Sequence, residues 1–370
     1  MYLDKGHKSQ GRKGADVVPL CPWSMRPFRY NSPMLRVAIN GYGRIGRVVH
    51  RQLLQRFSKE IAVVAINASS DATMRAYLLK YDTLHGRFEG DVEVDGEDLK
   101  VNGSPVRVVK EREPTQCPWK ELAVDLVIEA SGKFRSRDKA QGHLDAGAKA
   151  VLVTAPPKDD ISMIVLGVNN HDLNSGLPIV SAASCTTNCI APVIKVIDEL
   201  VGIKSGLVCT THAYTTSQNL LDNSSDSSKV RIARAASLNI IPSTTGAVKS
   251  CAKLFPHLKG KMDGMALRIP LPDVSAAYLA LNVKSDTTAE AVNAAMKKAA
   301  RGSLKGILAV EEGQLVSSDY VSDTHSSTVD LESTVVIDGT LVQILAWYDN
   351  EWGYGMRVTE MAMMIGTLLS

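Results

Sequence analysis

From position 35 onward the apolar residues fall into short runs that alternate with amphipathic stretches. Leu35-Arg36-Val37-Ala38-Ile39 reads as a short apolar strand, and residues 45–57 follow with helical spacing. Residues 61–66 form a second apolar run, and residues 125–129 and 150–154 follow, separated by a polar helix around 138–148. Short apolar strands alternating with helices predict a parallel, doubly wound sheet.

The texture changes near Cys185. Ile190, Val193, Ile194, Ile197 and Leu200 repeat at helical spacing. Longer β-rich segments then appear at 206–211, 265–269, 276–283 and 334–347, the last with a turn at Asp338-Gly339. A helix over 288–300 interrupts them. The pattern predicts an α/β chain with a second, α+β domain built on a mixed or antiparallel sheet. The expected division is a tail over 1–33, a first domain over 34–184, and a second over 185–349. A last helix, about 358–369 within 350–370, returns to the first domain.

Composition adds bounds. The chain has 370 residues, enough for two domains with cores of their own. A net charge of +3 gives no argument for nucleic acid or a membrane surface as partner. No apolar run approaches the roughly 20 residues of a membrane span. The six cysteines, Cys21, Cys117, Cys185, Cys189, Cys209 and Cys251, contain no CxxC pair. That usage fits a reducing, cytoplasmic setting better than a disulfide scaffold. Residues 1–33 are rich in Lys, Arg, Gly, Pro and Ser without apolar periodicity. They read as a disordered tail or an over-long start; a targeting segment stays open, with Asp4 and Asp16 counting against it.

Gly41-Tyr42-Gly43-Arg44-Ile45-Gly46 follows a strand and opens a helix. The first glycine allows the tight turn, the second lets backbone approach a pyrophosphate, and the third permits close helix–strand packing. This context predicts dinucleotide binding on a Rossmann sheet. Where the fingerprint expects a carboxylate for the ribose, the chain reads Asn67-Ala68-Ser69-Ser70-Asp71. Small residues and hydroxyls accept a 2′-phosphate that a carboxylate would repel, so NADP is favoured over NAD; Asp71 remains an alternative ribose ligand.

Ser184-Cys185-Thr186-Thr187-Asn188-Cys189 begins the amphipathic helix. A thiol at a helix start is expected to be a better thiolate, as a nucleophile requires. Cys189, one turn on, reads as structural, and no metal site is expected. His212 ends a strand, where an imidazole suits general base chemistry. His50, His143 and His257 carry no such context and are expected at the surface. Arg268 lies in an apolar run read as a buried strand, where an anion partner is expected.

Together with Lys80-Tyr81-Asp82-Thr83, His85-Gly86-Arg87-Phe88, His212-Ala213-Tyr214-Thr215, the run from Ile240 to Gly246, and Trp347 through Tyr354, these motifs resemble the glyceraldehyde-3-phosphate dehydrogenases from about Met34 to the end. Asn67-Ala68-Ser69 looks like the NADP-preferring, gluconeogenic bacterial branch. The resemblance implies Cys185 as nucleophile and His212 as base. It implies glyceraldehyde 3-phosphate and inorganic phosphate as partners, bound by Ser184, Thr186, Thr215, Thr245, Gly246 and Arg268. Gly41, Gly43, Arg44, Ile45, Gly46, Ala68, Ser69, Arg112, Ser131, Thr154, Ser224 and Asn350 match cofactor positions, with Arg47 near the adenine half. Ser224 is expected to reach a neighbouring subunit's cofactor, which requires a homotetramer.

Three positions depart from the family pattern. Ile232 stands where an arginine usually helps bind attacking phosphate, Ser217 replaces an acidic residue, and Ala182 replaces an asparagine. The expected reaction is phosphorylating, NADP-linked oxidation of glyceraldehyde 3-phosphate through a cysteine thioester. Two alternatives stay open: an erythrose-4-phosphate dehydrogenase whose thioester is cleaved by water, and a non-catalytic paralogue that binds the cofactor as a redox-sensing module.

Overall fold

The computed structural model describes residues 34–174, 176–224 and 227–370. The expectations for residues 1–33, Cys21 included, lie outside the described residues. Among the described residues no helix is long and apolar enough to cross a membrane.

The first half of the chain runs β1 (Leu35–Asn40), α1 (Arg44–Arg56), β2 (Ile61–Asn67), α2 (Ala72–Lys80), the short pair β3 (Tyr81–Asp82) and β4 (Gly86–Arg87), then β5 (Val92–Asp95), β6 (Asp98–Val101) and β7 (Ser104–Val109). It continues with β8 (Leu126–Glu129), α3 (Arg137–Asp145), β9 (Ala150–Val153), β10 (Ser162–Met163) and β11 (Ile179–Ser181). These strands, β3 and β4 apart, form a sheet in the order β10-β11-β9-β8-β1-β2-β7-β6-β5. Pairing is parallel from β10 to β7, as the alternation predicts. The edge is an antiparallel addition, β5-β6-β7. Its charged, half-exposed strands give only a weak apolar signal. Asn102-Gly103, both at positive φ, close the β6–β7 hairpin in the two-residue turn that such a pair favours.

The second half comprises α4 (Cys185–Val201), β12 (Ile203–Ala213), β13 (Ile241–Thr244), α5 (Ala247–Leu254), β14 (Met262–Ile269), β15 (Ser275–Val283), α6 (Ala289–Arg301), β16 (Leu308–Glu311), β17 (Ser327–Ile337), β18 (Leu341–Tyr348) and α7 (Trp352–Leu369). Its strands form one mixed sheet, β13-β14-β12-β15-β18-β17-β16. The run read at 334–347 is a hairpin, β17 and β18, and β17 begins earlier, at Ser327. The last helix begins at Trp352 rather than near 358 and packs on α1, where Gln52 Nε2 donates to the Trp352 carbonyl at 2.8 Å. One apolar core cluster joins both sheets through α4 and α7, with Ile39, Ile190, Ile344 and Val358 all fully enclosed.

Two of the three histidines expected at the surface are in the interior. His50 and His143 are fully buried, while His257 stays half-exposed beside Asp198. Each buried ring has a polar partner: Tyr42 Oη lies 2.6 Å from His50 Nδ1, and Trp119 Nε1 donates to His143 Nδ1 at 3.0 Å. The strand that carries Arg268 is also more open than expected, with Arg268 and its neighbours Leu267 and Ile269 half-buried.

Candidate active site

Cys185 is the first residue of α4, and Ser184 caps that helix, its Oγ accepting from Thr187 N at 3.1 Å. The chain enters the helix through Ala183 at φ +59, a left-handed conformation that costs a non-glycine residue energy. Neighbours fix it there: Ser181 Oγ accepts from Ala183 N at 3.0 Å, and Tyr354 of α7 donates to the Ala183 carbonyl at 3.1 Å. Asn188 Nδ2 reaches the carbonyls of Ala182 and Ser184, both at 2.9 Å. The turn therefore holds the thiol in place before any ligand arrives.

His212 is the penultimate residue of β12, with Nε2 3.5 Å from Cys185 Sγ. Its ring meets Tyr348 edge-on, and Tyr348 Oη lies 2.9 Å from Thr186 Oγ1. On the other side, Nδ1 lies 2.7 Å from both the Ala213 carbonyl and Arg268 Nη1. Burial, and then the Arg268 guanidinium, hold His212 well below the usual imidazole range, at about 3. The helix-start expectation of a more acidic thiol gives way to desolvation. Burial pushes Cys185 up, against the smaller opposing pull of Arg268 and of hydrogen bonds at Thr186 and its own amide. In this state thiol and imidazole are both neutral. Cys189 is fully buried one turn on, donates to Ser327 Oγ at 3.6 Å, and is pushed up by burial to about 12.

The residues matched to phosphate come from three segments, the first being Ser184 and Thr186 at the start of α4. Arg268 pairs with His212 across the parallel strands β12 and β14, and Thr215 follows two residues beyond the end of β12. Thr245 and Gly246 precede α5, with Ala247 N donating to Thr245 Oγ1 at 3.2 Å. Thr244 pairs with Met265, three residues back from Arg268, so the latter two segments stand roughly 10 Å apart along the strands. Ser217 Oγ lies 2.9 Å from Thr215 Oγ1. Ile232 is half-buried.

At the carboxyl ends of β1 and β8, the glycine turn meets the loop carrying Ser131. Gly41 sits at φ +93, and a Cβ there would lie 2.5 Å from Ser131 N. A Cβ on Gly46 would strike the Gly41 carbonyl at 2.2 Å, whereas one on Gly43 would meet nothing within 4 Å. The start of α1 has no side-chain cap and no acidic residue in its first turn. These open amide groups fit a pyrophosphate. Arg44 and Ile45 contribute backbone to that turn; the Arg44 side chain instead pairs with Asp82 and Glu351. Ala68 is buried at the end of β2, while Ser69 and Arg112 are exposed. Asp71 caps α2, its Oδ1 accepting from Met74 N at 2.8 Å. Asn350 is buried after β18, and its Oδ1 accepts from Ser275 Oγ at 2.6 Å, which leaves Nδ2 as its donor group. Ser224 is exposed, away from these loops in sequence.

Residues 35–137 match the profile described as glyceraldehyde 3-phosphate dehydrogenase, NAD binding domain, and residues 184–350 match the corresponding C-terminal domain. The chain belongs to the glyceraldehyde-3-phosphate dehydrogenase family. It is similar to glyceraldehyde-3-phosphate dehydrogenase 2 of Bacillus subtilis, with 49% identity over 328 residues, 88% of this chain and 95% of the relative. The enzyme of Geobacillus stearothermophilus is 48% identical over 334 residues, 90% and 98% of the two chains. The chloroplastic A form of Chlamydomonas reinhardtii is 48% identical over 330 residues, 89% and 88%. The chain is an NAD(P)-dependent oxidoreductase with a nicotinamide cofactor.

In this family member a buried glutamate missed by sequence reasoning organises the cofactor loops. Glu129 is 1% exposed. Its Oε1 accepts from Ser131 N at 2.9 Å and from Ser131 Oγ. Its Oε2 accepts from Asn40 Nδ2 and from His143 Nε2, the latter at 3.1 Å. The Glu129 carbonyl accepts from both N and Oγ1 of Thr154. Asn67 extends the network: Nδ2 donates to Asn40 Oδ1 at 2.7 Å and to the Glu111 carbonyl at 2.8 Å, while Oδ1 accepts from Glu111 N at 3.0 Å. That clamp holds the backbone just before Arg112. The only sequence signal was a carboxylate closing an apolar strand, a buried charge that demands partners.

Proposed function

We propose that this chain is a phosphorylating, NADP-preferring glyceraldehyde-3-phosphate dehydrogenase that works through a thioester on Cys185. The observation that carries the reading is His212 Nε2 at 3.5 Å from Cys185 Sγ, with Arg268 against the opposite ring nitrogen. Cys185 sulfur adds to the aldehyde carbon while His212 takes the thiol proton and passes it to the carbonyl oxygen, which becomes a hydroxyl and leaves His212 neutral again. When bound, the nicotinamide supplies the hydride acceptor that makes oxidation of this adduct to a thioester possible. His212 accepts the hydroxyl proton as the C=O bond re-forms. An oxygen of inorganic phosphate then attacks the thioester carbon, the C–S bond breaks, and the acyl phosphate leaves while Cys185 sulfur is freed as thiolate.

Neutral His212 beside a neutral thiol supports this order, because the base is unprotonated when the aldehyde arrives. Arg268 and Thr215 would hold the phosphate of glyceraldehyde 3-phosphate. Ser184, Thr186, Thr245 and Gly246 would hold attacking phosphate, and the spacing along the strands supports two separate anion sites. Asn350 Nδ2 would orient the nicotinamide carboxamide. Ala68, Ser69, Arg112 and a neighbouring subunit's Ser224 would surround a 2′-phosphate, and the capping role of Asp71 supports NADP over NAD.

A homotetramer is supported by apolar surface. Leu220, Leu221, Val230, Leu238 and Ile240 are each at least 66% exposed along one segment. Met265 and Tyr278 flank Cys209 in one row across the second sheet, both exposed. Five cysteines free of disulfides among the described residues support a cytoplasmic setting.

Ile232 favours one second reading, hydrolytic cleavage of the thioester, because a cation for attacking phosphate is missing there. The test is steady-state reduction of NADP and of NAD by glyceraldehyde 3-phosphate, each with and without inorganic phosphate. The proposal expects phosphate-dependent turnover with higher kcat/KM for NADP. Phosphate-independent turnover selects the hydrolytic reading, and equal or better rates with NAD overturn the cofactor preference.

A further inference from the structure

A second cluster of buried polar groups lies where the two sheets' layers meet and takes no part in the steps above. His85 comes from the β3–β4 turn, Asp273 from the β14–β15 loop, and Glu351 from the residue before α7. One ligand atom from each lies within 4.8 Å of the others. His85 Nε2 is 3.4 Å from Glu351 Oε2 and 3.8 Å from Asp273 Oδ2. Ligands bound tetrahedrally at about 2.0–2.2 Å from a metal stand roughly 3.3–3.6 Å apart.

Partner counting singles out the same atoms. The His85 side chain is fully enclosed, its Nδ1 lies 3.0 Å from Ser322 Oγ, and its Nε2 makes no hydrogen bond. That is how a metal-ligating imidazole is oriented from behind. Asp273 has a side chain only 1% exposed, and neither carboxylate oxygen has a hydrogen-bond partner. The surrounding acids are satisfied. Asp82 takes Arg44 and the amides of Leu84 and His85, Asp349 takes the amides of Ser322, Glu351 and Trp352, and Glu351 takes Arg44. Asp82, Asp273, Asp349 and Glu351 thus crowd around Arg44 and His85, and Asp273 is the carboxyl group among them that is left without a hydrogen-bond partner.

We propose that His85, Asp273 and Glu351 form a binding site for a divalent transition cation, Mn²⁺ or Zn²⁺, that clamps the two sheets' layers together. One imidazole with two carboxylates suits these ions better than the all-oxygen cages of Ca²⁺ or the hydrated sites of Mg²⁺. The site runs against the sequence expectation of no metal, and it stands apart from the reading of Cys185.

The test uses the full chain carrying Cys185→Ser, so that the thiol–imidazole pair does not compete for Zn²⁺. The chelator-stripped protein is titrated with Mn²⁺, free ion being read by electron paramagnetic resonance, and with Zn²⁺ against a chromophoric chelator. One ion per chain is expected, with a thermal midpoint that rises on binding. Asp273→Asn and His85→Gln should each weaken binding at least about 30-fold and abolish the rise. Sub-stoichiometric binding of both ions at millimolar concentration overturns the proposal, as does binding that both variants leave unchanged. A proton on Asp273 in place of a cation would give the first of these results. The parent titration decides even where a variant does not fold.

Discussion

Arg268 Nη1 lies 2.7 Å from Nδ1 of His212, at the same distance as the Ala213 carbonyl. A guanidinium can only donate and a carbonyl can only accept, so the two compete for the tautomer of the ring. With the proton on Nδ1, donated to Ala213, Nε2 is bare and can take the thiol proton. With Nδ1 bare toward Arg268, Nε2 carries a proton toward sulfur and cannot act as base. An anion that draws Arg268 away selects the competent form. Arg268→Ala should therefore raise KM for a phosphorylated aldehyde roughly 10- to 100-fold, the loss of a charge-assisted hydrogen bond. The same variant should gain relative activity on an unphosphorylated aldehyde, and parallel losses on both substrates would contradict the competition.

His212→Asn should slow acylation about 10²–10⁴-fold, the usual contribution of a positioned base. Rapid-quench measurement of the first turnover across pH checks this. With His212 at about 3 and the thiol pushed up, the parent rate should be flat through the neutral range, whereas the variant, without its base, should rise with pH as hydroxide takes the thiol proton. An unchanged pH–rate profile would remove His212 from the role.

Acid stability follows from two buried rings. Burial holds both His50 and His212 at about 3, whereas imidazoles in the unfolded chain titrate near 6.5. Below about pH 6.5 the unfolded chain binds protons that the folded one does not, so stability falls as pH drops from there toward 3. His50→Gln keeps an acceptor for Tyr42 but does not titrate. Its urea midpoint should fall less steeply than the parent's between pH 6 and 4, and identical slopes would contradict the assignment.

Glu129→Gln places an amide group against donors whichever way it turns, since Asn40 and His143 donate to one oxygen and Ser131 to the other. The expected cost is about 1–3 kcal/mol of stability. The loop carrying Ser131 should loosen, raising KM for the nicotinamide cofactor several-fold with kcat nearly unchanged. A matching fall in kcat with KM unmoved would argue against its positioning role.

What the sequence made legible was local. Gly41-Tyr42-Gly43-Arg44-Ile45-Gly46 encodes a turn within six residues, and Cys185 announces itself by the helix that follows. Partnerships across long separations were hidden. Ser275 meets Asn350 across 75 positions, and Glu129 gathers Asn40 from a strand end, Ser131 from a loop and His143 from a helix. His143 read as a surface residue because its helix is polar, yet Trp119 and Glu129 satisfy both ring nitrogens in the interior. The strain at Ala183 left no trace, because alanine does not advertise positive φ. The acidity of Cys185 was misjudged because a helix start is visible in sequence, whereas the desolvation that outweighs it is not.

The most direct test of the thioester is the first turnover without inorganic phosphate. Enzyme mixed with NADP and excess glyceraldehyde 3-phosphate should release one reduced nicotinamide per chain in a burst, then stall, and should turn over steadily once phosphate is added. Cys185→Ala should show no burst while still binding NADP. Steady phosphate-free turnover with no burst, or a burst that survives in Cys185→Ala, would contradict a thioester on Cys185 resolved by phosphate.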